Sequence, residues 1–252
     1  MTARSHLRIA LVLCCSLTAC YHDNGFKKAS PAVSAATNMQ LAIEYLKLGK
    51  LAASRDFMER ALGEDPKNPD VQMTAGLVYE RVNEMPKAER AYATAFRLGK
   101  GDPNIENTYA GFLCRSGKAV AGEKLFLEVA NSPLYQTPEV ALVNAGVCSR
   151  GTGDVVDAER YLNRALAIHP NLPEAMLQLG NIAFDRGDAG EARAIVQRYL
   201  AVNKPTSEVL WLGFRAERKL GDATAAAAFA RRVQAEFPDS EEALMMRSGV
   251  DR

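Results

Sequence analysis

The stretch NMQLAIEYLKLGKLAASRDFMERALGEDP, residues 38–66, decides the fold. Leu41, Ala42 and Tyr45 are spaced by three and four residues and share one face of a first helix. Gly49 turns the chain, and Met58 and Ala61 share a face of a second helix that Pro66 ends. Small Ala42 and Ala61 let two backbones approach, while Tyr45 and Met58 fill the space beside them. The unit is a helical hairpin.

The same spacing returns with a period of about 34 residues. From Pro69 it gives Ala75, Gly76, Tyr79, Ala88, Tyr92 and Ala95; from Pro103 it gives Tyr109, Ala110, Leu113, Gly117, Gly122, Phe126 and Val129. After a slip at Thr137 and Pro138, a fourth copy supplies Ala145, Gly146, Gly153, Ala158, Leu162 and Ala165, and a fifth supplies Leu179, Gly180, Gly187, Ala192 and Val196. The sixth is weaker at its front, where Gly213 and Phe214 exchange the usual large and small places, but Gly221, Ala226, Val233 and Pro238 keep phase. This pattern resembles the tetratricopeptide repeat. The fold it predicts is all-α, a right-handed superhelical solenoid of six tetratricopeptide helix pairs at 35–68, 69–102, 103–136, 139–172, 173–206 and 207–240, closed by a C-terminal capping segment at 241–252.

Residues 1–19 stand apart from the array. Arg4 and Arg8 precede a short apolar run, Ile9 to Leu17, which is too short to span a bilayer as a permanent helix. The run ends Leu17-Thr18-Ala19-Cys20, which resembles the lipobox of bacterial lipoproteins, cut before a cysteine that then carries lipid. The alternative is an ordinary secretory signal cut near Ala19, with Cys20 a free thiol. Acylation at Cys20 would anchor the chain to a membrane without embedding it. Tyr21, in place of the Asp that retains such lipoproteins in the inner membrane, favours the outer membrane, facing the periplasm. Residues 20–34 form the lipidated cysteine and a small, polar tether.

The charges balance, 31 basic against 30 acidic, which argues against nucleic acid as a partner. Two cysteines remain in the folded part, Cys114 and Cys148, near the ends of the first helices of neighbouring units. An oxidising periplasm permits a disulfide between them; otherwise both serve as small apolar fillers. Of three histidines, His6 leaves with the signal, His22 lies in the tether, and His169 sits beside Pro170 at a helix end. No pair of histidines at ligand spacing, Cys-x-x-Cys, Gly-x-Ser-x-Gly elbow or phosphate loop occurs in the repeats, so no metal, cofactor, small-molecule substrate or catalytic constellation is expected. Gly99-Lys100-Gly101 falls in a turn between repeats.

What remains is surface. In tetratricopeptide stacks the second, fifth, ninth, twelfth and thirteenth residues of each first helix look into the concave groove. In the first two units these include Met39, Ile43, Leu46, Met73 and Leu77, edged by Lys47 and Arg81, an apolar patch suited to a peptide or helix of a partner. The sixth unit places Trp211 and Arg215 in the equivalent row, either as a second contact or as packing against Leu244, Met245 and Met246.

The third and fourth units carry the most particular likeness. Asn107-Thr108-Tyr109-Ala110-Gly111-Phe112-Leu113-Cys114-Arg115-Ser116-Gly117-Lys118, then Ser132-Pro133-Leu134-Tyr135-Gln136-Thr137-Pro138, then Asn144-Ala145-Gly146-Val147-Cys148, resembles the type IV pilus biogenesis lipoproteins of the PilF and PilW family. The likeness takes in the signal, Cys20, all six repeats and the slip at Thr137. It departs at Gly122, where Ala is usual, and at Ala119 and Val120, where polar residues are common. Members of that family are outer-membrane pilotins that help the pilus secretin to reach the membrane and multimerise. The resemblance therefore implies a non-enzymatic adaptor anchored through Cys20, with a secretin subunit in its groove. The rival expectation is a tetratricopeptide scaffold for cell-wall or outer-membrane assembly machinery.

Overall fold

The computed structural model describes residues 30–248; the signal segment, Cys20 and the tether through residue 29 lie outside the described residues. Six helical hairpins follow one another: α1 (Pro31–Lys47) with α2 (Leu51–Glu64), α3 (Pro69–Arg81) with α4 (Met85–Leu98), and α5 (Pro103–Arg115) with α6 (Ala119–Ala130). The series continues as α7 (Pro138–Gly151) with α8 (Val155–Ile168), α9 (Pro173–Asp185) with α10 (Ala189–Val202), and α11 (Ser207–Leu220) with α12 (Ala223–Glu236). A short α13 (Glu241–Ser248) ends the described chain.

The chain's own punctuation sets these bounds. Proline occupies the first turn of α1, α3, α5, α7 and α9, where no backbone N–H is needed. Side chains of Ser30, Asn68, Asp102, Asp154, Asp188, Thr206 and Asp222 accept hydrogen bonds from first-turn N–H groups. Inside every hairpin the turn residue is left-handed: Gly49, Asn83, Gly117, Gly153, Gly187 and Gly221. These six stand at one repeat position, and the interval between Gly117 and Gly153 is longer by the two residues of the slip. Asn83 takes the strained conformation without glycine's freedom, at φ 61°.

Ser30 and Pro31 cap and start α1 four residues before the predicted boundary, so 31–34 are helix and not tether. The serine hydroxyl accepts from Val33 N–H at 3.4 Å, and the proline suits the first turn. The slip resolves similarly, with Pro138 as the first residue of α7, one before the predicted start.

The backbone of each odd-numbered helix approaches that of the next odd-numbered one, from α1·α3 through α9·α11, whereas successive even-numbered helices meet only through long side chains, as where Tyr161 of α8 donates to Glu123 of α6 at 2.8 Å. An inner row in contact and an outer row splayed apart make a curved stack with the odd helices on its concave side. The core runs along the stack: Ala42, Met58, Ala75, Tyr79 and Tyr92 in the first two units, then Ala110, Phe126 and Ala145, then Leu142, Leu162 and Ile182, then Met176, Val196, Leu210 and Val233. The exchanged pair in the sixth unit also has its reason. A Cβ on Gly213 would lie 2.7 Å from the Phe229 ring, so the small residue sits at the helix crossing while Phe214 stacks on Trp211 with centroids 5.1 Å apart. The buried Ala243 of α13 joins this last cluster, so the end segment covers the final hairpin.

Candidate functional site

A cavity of about 650 Å³ opens on the concave face where α3, α5 and α7 meet. Leu77 forms one wall, Tyr92 and Phe126 from the second helices reach it from beneath, and Val147 stands opposite. Gly111 and Gly151 occupy groove positions where other units carry a side chain; nothing stands within 4 Å of where a Cβ would be on Gly151, and over Gly111 only Arg115 Nη1, at 3.2 Å, and the Phe126 ring, at 3.8 Å, come that near. Asn107 and Asn144 put amides in the same wall, joined by a bond from Asn144 Nδ2 to Asn107 Oδ1 at 3.3 Å. A second hollow, about 800 Å³, adjoins it and shares Val147 and Gly151; Arg150, Ile182, Asp185 and Arg186 lie along it. Together they make a continuous groove from the second unit to the fifth.

The cavity lies further along the stack than the patch expected on the first two units. Met39, Leu46 and Met73 pack half-buried against the core cluster of Ala42, Met58 and Tyr79, and Ile43 is half-buried as well. Of the five, Leu77 is exposed, at 40%, and lines the cavity. Of the ten residues that the same positional rule picks out in the third and fourth units, Asn107, Gly111, Cys114, Arg115, Val147 and Gly151 line it, while Asn104, Val140, Val143 and Arg150 do not. The missing signal was the pair of glycines facing the groove, which leaves a hollow instead of a bump.

The cavity floor is covalently tied. Cys114 on α5 and Cys148 on α7 are joined by a disulfide with Cα atoms 5.7 Å apart, and both line the cavity. Gly122, the departure from the usual Ala, has its cause here: a Cβ at that position would stand 2.5 Å from Cys114 Sγ and 2.7 Å from Ala110 O. The sulfur takes up the volume that a methyl group would fill.

Electrostatics fix the rim. Glu80 accepts from Arg115 Nε at 2.7 Å and Nη2 at 3.0 Å and from the Tyr92 hydroxyl at 3.0 Å. The Arg115 guanidinium holds the Glu80 carboxyl below its ordinary value, and the carboxylate in turn raises Arg115. Burial pushes the Tyr92 phenol well above its usual range. One unit further on, Arg150 repeats the device, donating to Gln178 at 2.9 Å and Asp185 at 2.7 Å. Each pair joins the first helices of consecutive units.

The expected second contact is mostly packing. Trp211 is 9% exposed, so it is not open for a partner. Arg215 lies flat over Phe184 at 4.0 Å from the ring centroid, with Lys219 over the same ring at 5.0 Å. Desolvation lowers the Arg215 pKa. Among the described residues no group of three or more His, Cys, Asp or Glu could hold a metal ion, and no helix is long and apolar enough to cross a membrane.

Three models, each described as tetratricopeptide repeat, match residues 39–103, 150–212 and 209–240. No curated protein matches the chain in sequence. Among solved structures, the crystal structure of PilW, described as a widely conserved type IV pilus biogenesis factor, is 30% identical with a TM-score of 0.70, covering 84% of this chain and 98% of PilW. PilF of Pseudomonas aeruginosa is similar in fold, at 20% identity and a TM-score of 0.65, covering 88% of this chain and 100% of PilF. A tetratricopeptide repeat protein from Parabacteroides merdae has a TM-score of 0.67 at 17% identity, covering 84% of this chain and 82% of its own.

Proposed function

Because the chain belongs to the tetratricopeptide-repeat family and is related to the type IV pilus biogenesis factor PilW, we propose that it is a lipid-anchored pilotin of the outer membrane that binds the pilus secretin. The observation that carries this reading is the open groove of α3, α5 and α7 on a chain 30% identical to PilW over nearly all of PilW's length. A groove of apolar wall and paired amides suits a polypeptide. Lipid on Cys20 would hold the bound subunit close to the membrane. Its effective concentration there would favour ring formation over association elsewhere.

Deleting the protein tests the reading. Heat-stable secretin multimers should disappear from the outer membrane and return with the wild-type chain. Cys20→Ala should leave the array folded while secretin rings mislocalise. Leu77→Asp, which places a charge on the cavity wall, should weaken binding of purified secretin by tenfold or more, as an order of magnitude for a buried unpaired charge. Normal multimers without the protein would discard the pilotin reading and turn attention to cell-wall or outer-membrane assembly partners.

A further inference from the structure

We propose that the edge of the stack formed by the loops between hairpins rests on the bilayer surface, with Leu134, Ile168 and Val202 in the headgroup region, so that the concave groove is held broadside to the membrane. This goes beyond the adaptor reading above and rests on it for the lipid at Cys20.

Two edges border a stack of hairpins. One carries the turns inside each hairpin, from Gly49 to Gly221; the other carries the loops between hairpins and the N-terminus of α1. On this second edge Leu134 stands in the loop between α6 and α7, Ile168 ends α8 and Val202 ends α10, one in each of three consecutive units and all 49–67% exposed. Val33, in the first turn of α1, is exposed on the same edge. The turn edge has exposed apolar residues of its own in Leu48, Val120 and Val156, so exposure does not choose between the two.

The entry point of the chain chooses. Ser30, the cap of α1, lies ten residues from Cys20, and ten residues span at most about 36 Å when fully extended. Lipid at Cys20 therefore keeps the start of the loop edge within that distance of the bilayer. The turn edge begins a helix length further on, about 25 Å for the 17 residues of α1. An anchor so placed raises the local concentration of Leu134, Ile168 and Val202 at the surface. A few apolar side chains too weak to hold a protein on lipid alone then suffice to orient one already held.

The backbone and charge of this edge fit such a seat. In the loop after α6 the N–H groups of Asn131, Ser132, Leu134 and Tyr135 are all bonded within the protein, and Pro133 has none. Leu134 can thus leave water without stranding a donor beside it. His169 and Asn203, which follow Ile168 and Val202, likewise donate to Ala165 O and Tyr199 O. Exposed charge is mixed, Lys67, Lys100 and Lys204 against Asp70, Glu174 and Glu208, so the contact is apolar and does not depend on anionic lipid. Resting this way, α5 rises about 20 Å from the surface over its 13 residues, which puts the cavity beside Gly117 and Gly151 clear of the headgroups and open sideways to a partner.

The test reconstitutes the full chain, expressed with its signal segment, in phosphatidylcholine vesicles that carry a headgroup nitroxide. Quenching is read from a fluorophore attached singly at Gln136→Cys or Lys204→Cys on the loop edge, or at Ala121→Cys on the turn edge. The first two should be quenched about threefold or more beyond the third, because an interfacial side chain lies within about 10 Å of the headgroups and the turn edge about 20–25 Å above them. Adding phosphatidylglycerol should leave that ratio unchanged. Leu134→Asp with Ile168→Asp should keep the helical content and the chain on the vesicles, yet erase the difference between Lys204→Cys and Ala121→Cys. Equal quenching at the two edges, a ratio that arises only with phosphatidylglycerol, or a difference that survives the double substitution overturns the proposal and spares the lipid anchor. Wild-type chain that stays in the supernatant overturns the anchor, and the proposal with it.

Discussion

The seam between the third and fourth units and the seam between the fifth and sixth solve one problem in opposite ways. At the first, Gly111 and Gly151 leave the concave face hollow, and α5 and α7 are held together by the Cys114–Cys148 bond. At the second, Phe184 and Arg215 fill the equivalent space, cation over ring at 4.0 Å, and Gly180 admits Leu212 to 2.7 Å of where its Cβ would be. A seam that keeps room for a guest gives up the side-chain contacts that would otherwise hold it, and here a covalent link replaces them. A filled seam holds itself by packing and has no room to offer.

The largest expected effect breaks the hollow seam. Cys114→Ser with Cys148→Ser should cost about 3–4 kcal/mol, from the loop-entropy estimate for a separation of 34 residues. Denaturant melts of oxidised and reduced wild type should bracket the variant, and hydrogen exchange should locate the loss in α5–α7 rather than α9–α12. At the filled seam, Arg215→Ala should cost about 0.5–2 kcal/mol, the range for a partly desolvated cation over a ring. Its loss should appear in exchange at α9 and α11 and be independent of reductant.

Acid should act beside the hollow seam, where Glu80 of α3 holds Arg115 of α5. The folded pKa of Glu80 lies below the ordinary carboxylate value of 4.5 because of Arg115, so its stabilisation is present above that value and lost as pH falls through the folded pKa. Thermal melts of wild type should therefore decline below about pH 4.5 more steeply than those of Glu80→Gln. The smallest effect lies at neither seam: Asn83→Gly relieves the left-handed turn and should raise stability by a few tenths of a kcal/mol to about 1 kcal/mol, read as a small rise in Tm.

Periodicity made the hairpins legible. Gly49, Gly117, Gly153, Gly187 and Gly221 mark the turns in the sequence as they do in space, and only Asn83 hides its role behind a different residue type. Ser30 and Pro31 carried a helix-start signal that the small, polar composition around them masked. The groove was less legible. Spacing places Met39, Leu46 and Met73 on the inner face, but whether a side chain there stands free or folds onto its neighbour depends on how closely α1 and α3 approach. That distance is a property of the stack and not of one unit. Gly122 was readable only as an irregularity until the sulfur beside it was in view.

The link between Cys114 and Cys148 also decides how the molecule would behave under load. In a stack whose units touch only their neighbours, tension on the two ends strips hairpins off one at a time. The bonded loop of 34 residues cannot pay out, so roughly 110–120 Å of contour length stays hidden until the bond is reduced. Stretched in an oxidising solvent, the chain should lose its outer hairpins first and keep the central pair tethered around the empty seat.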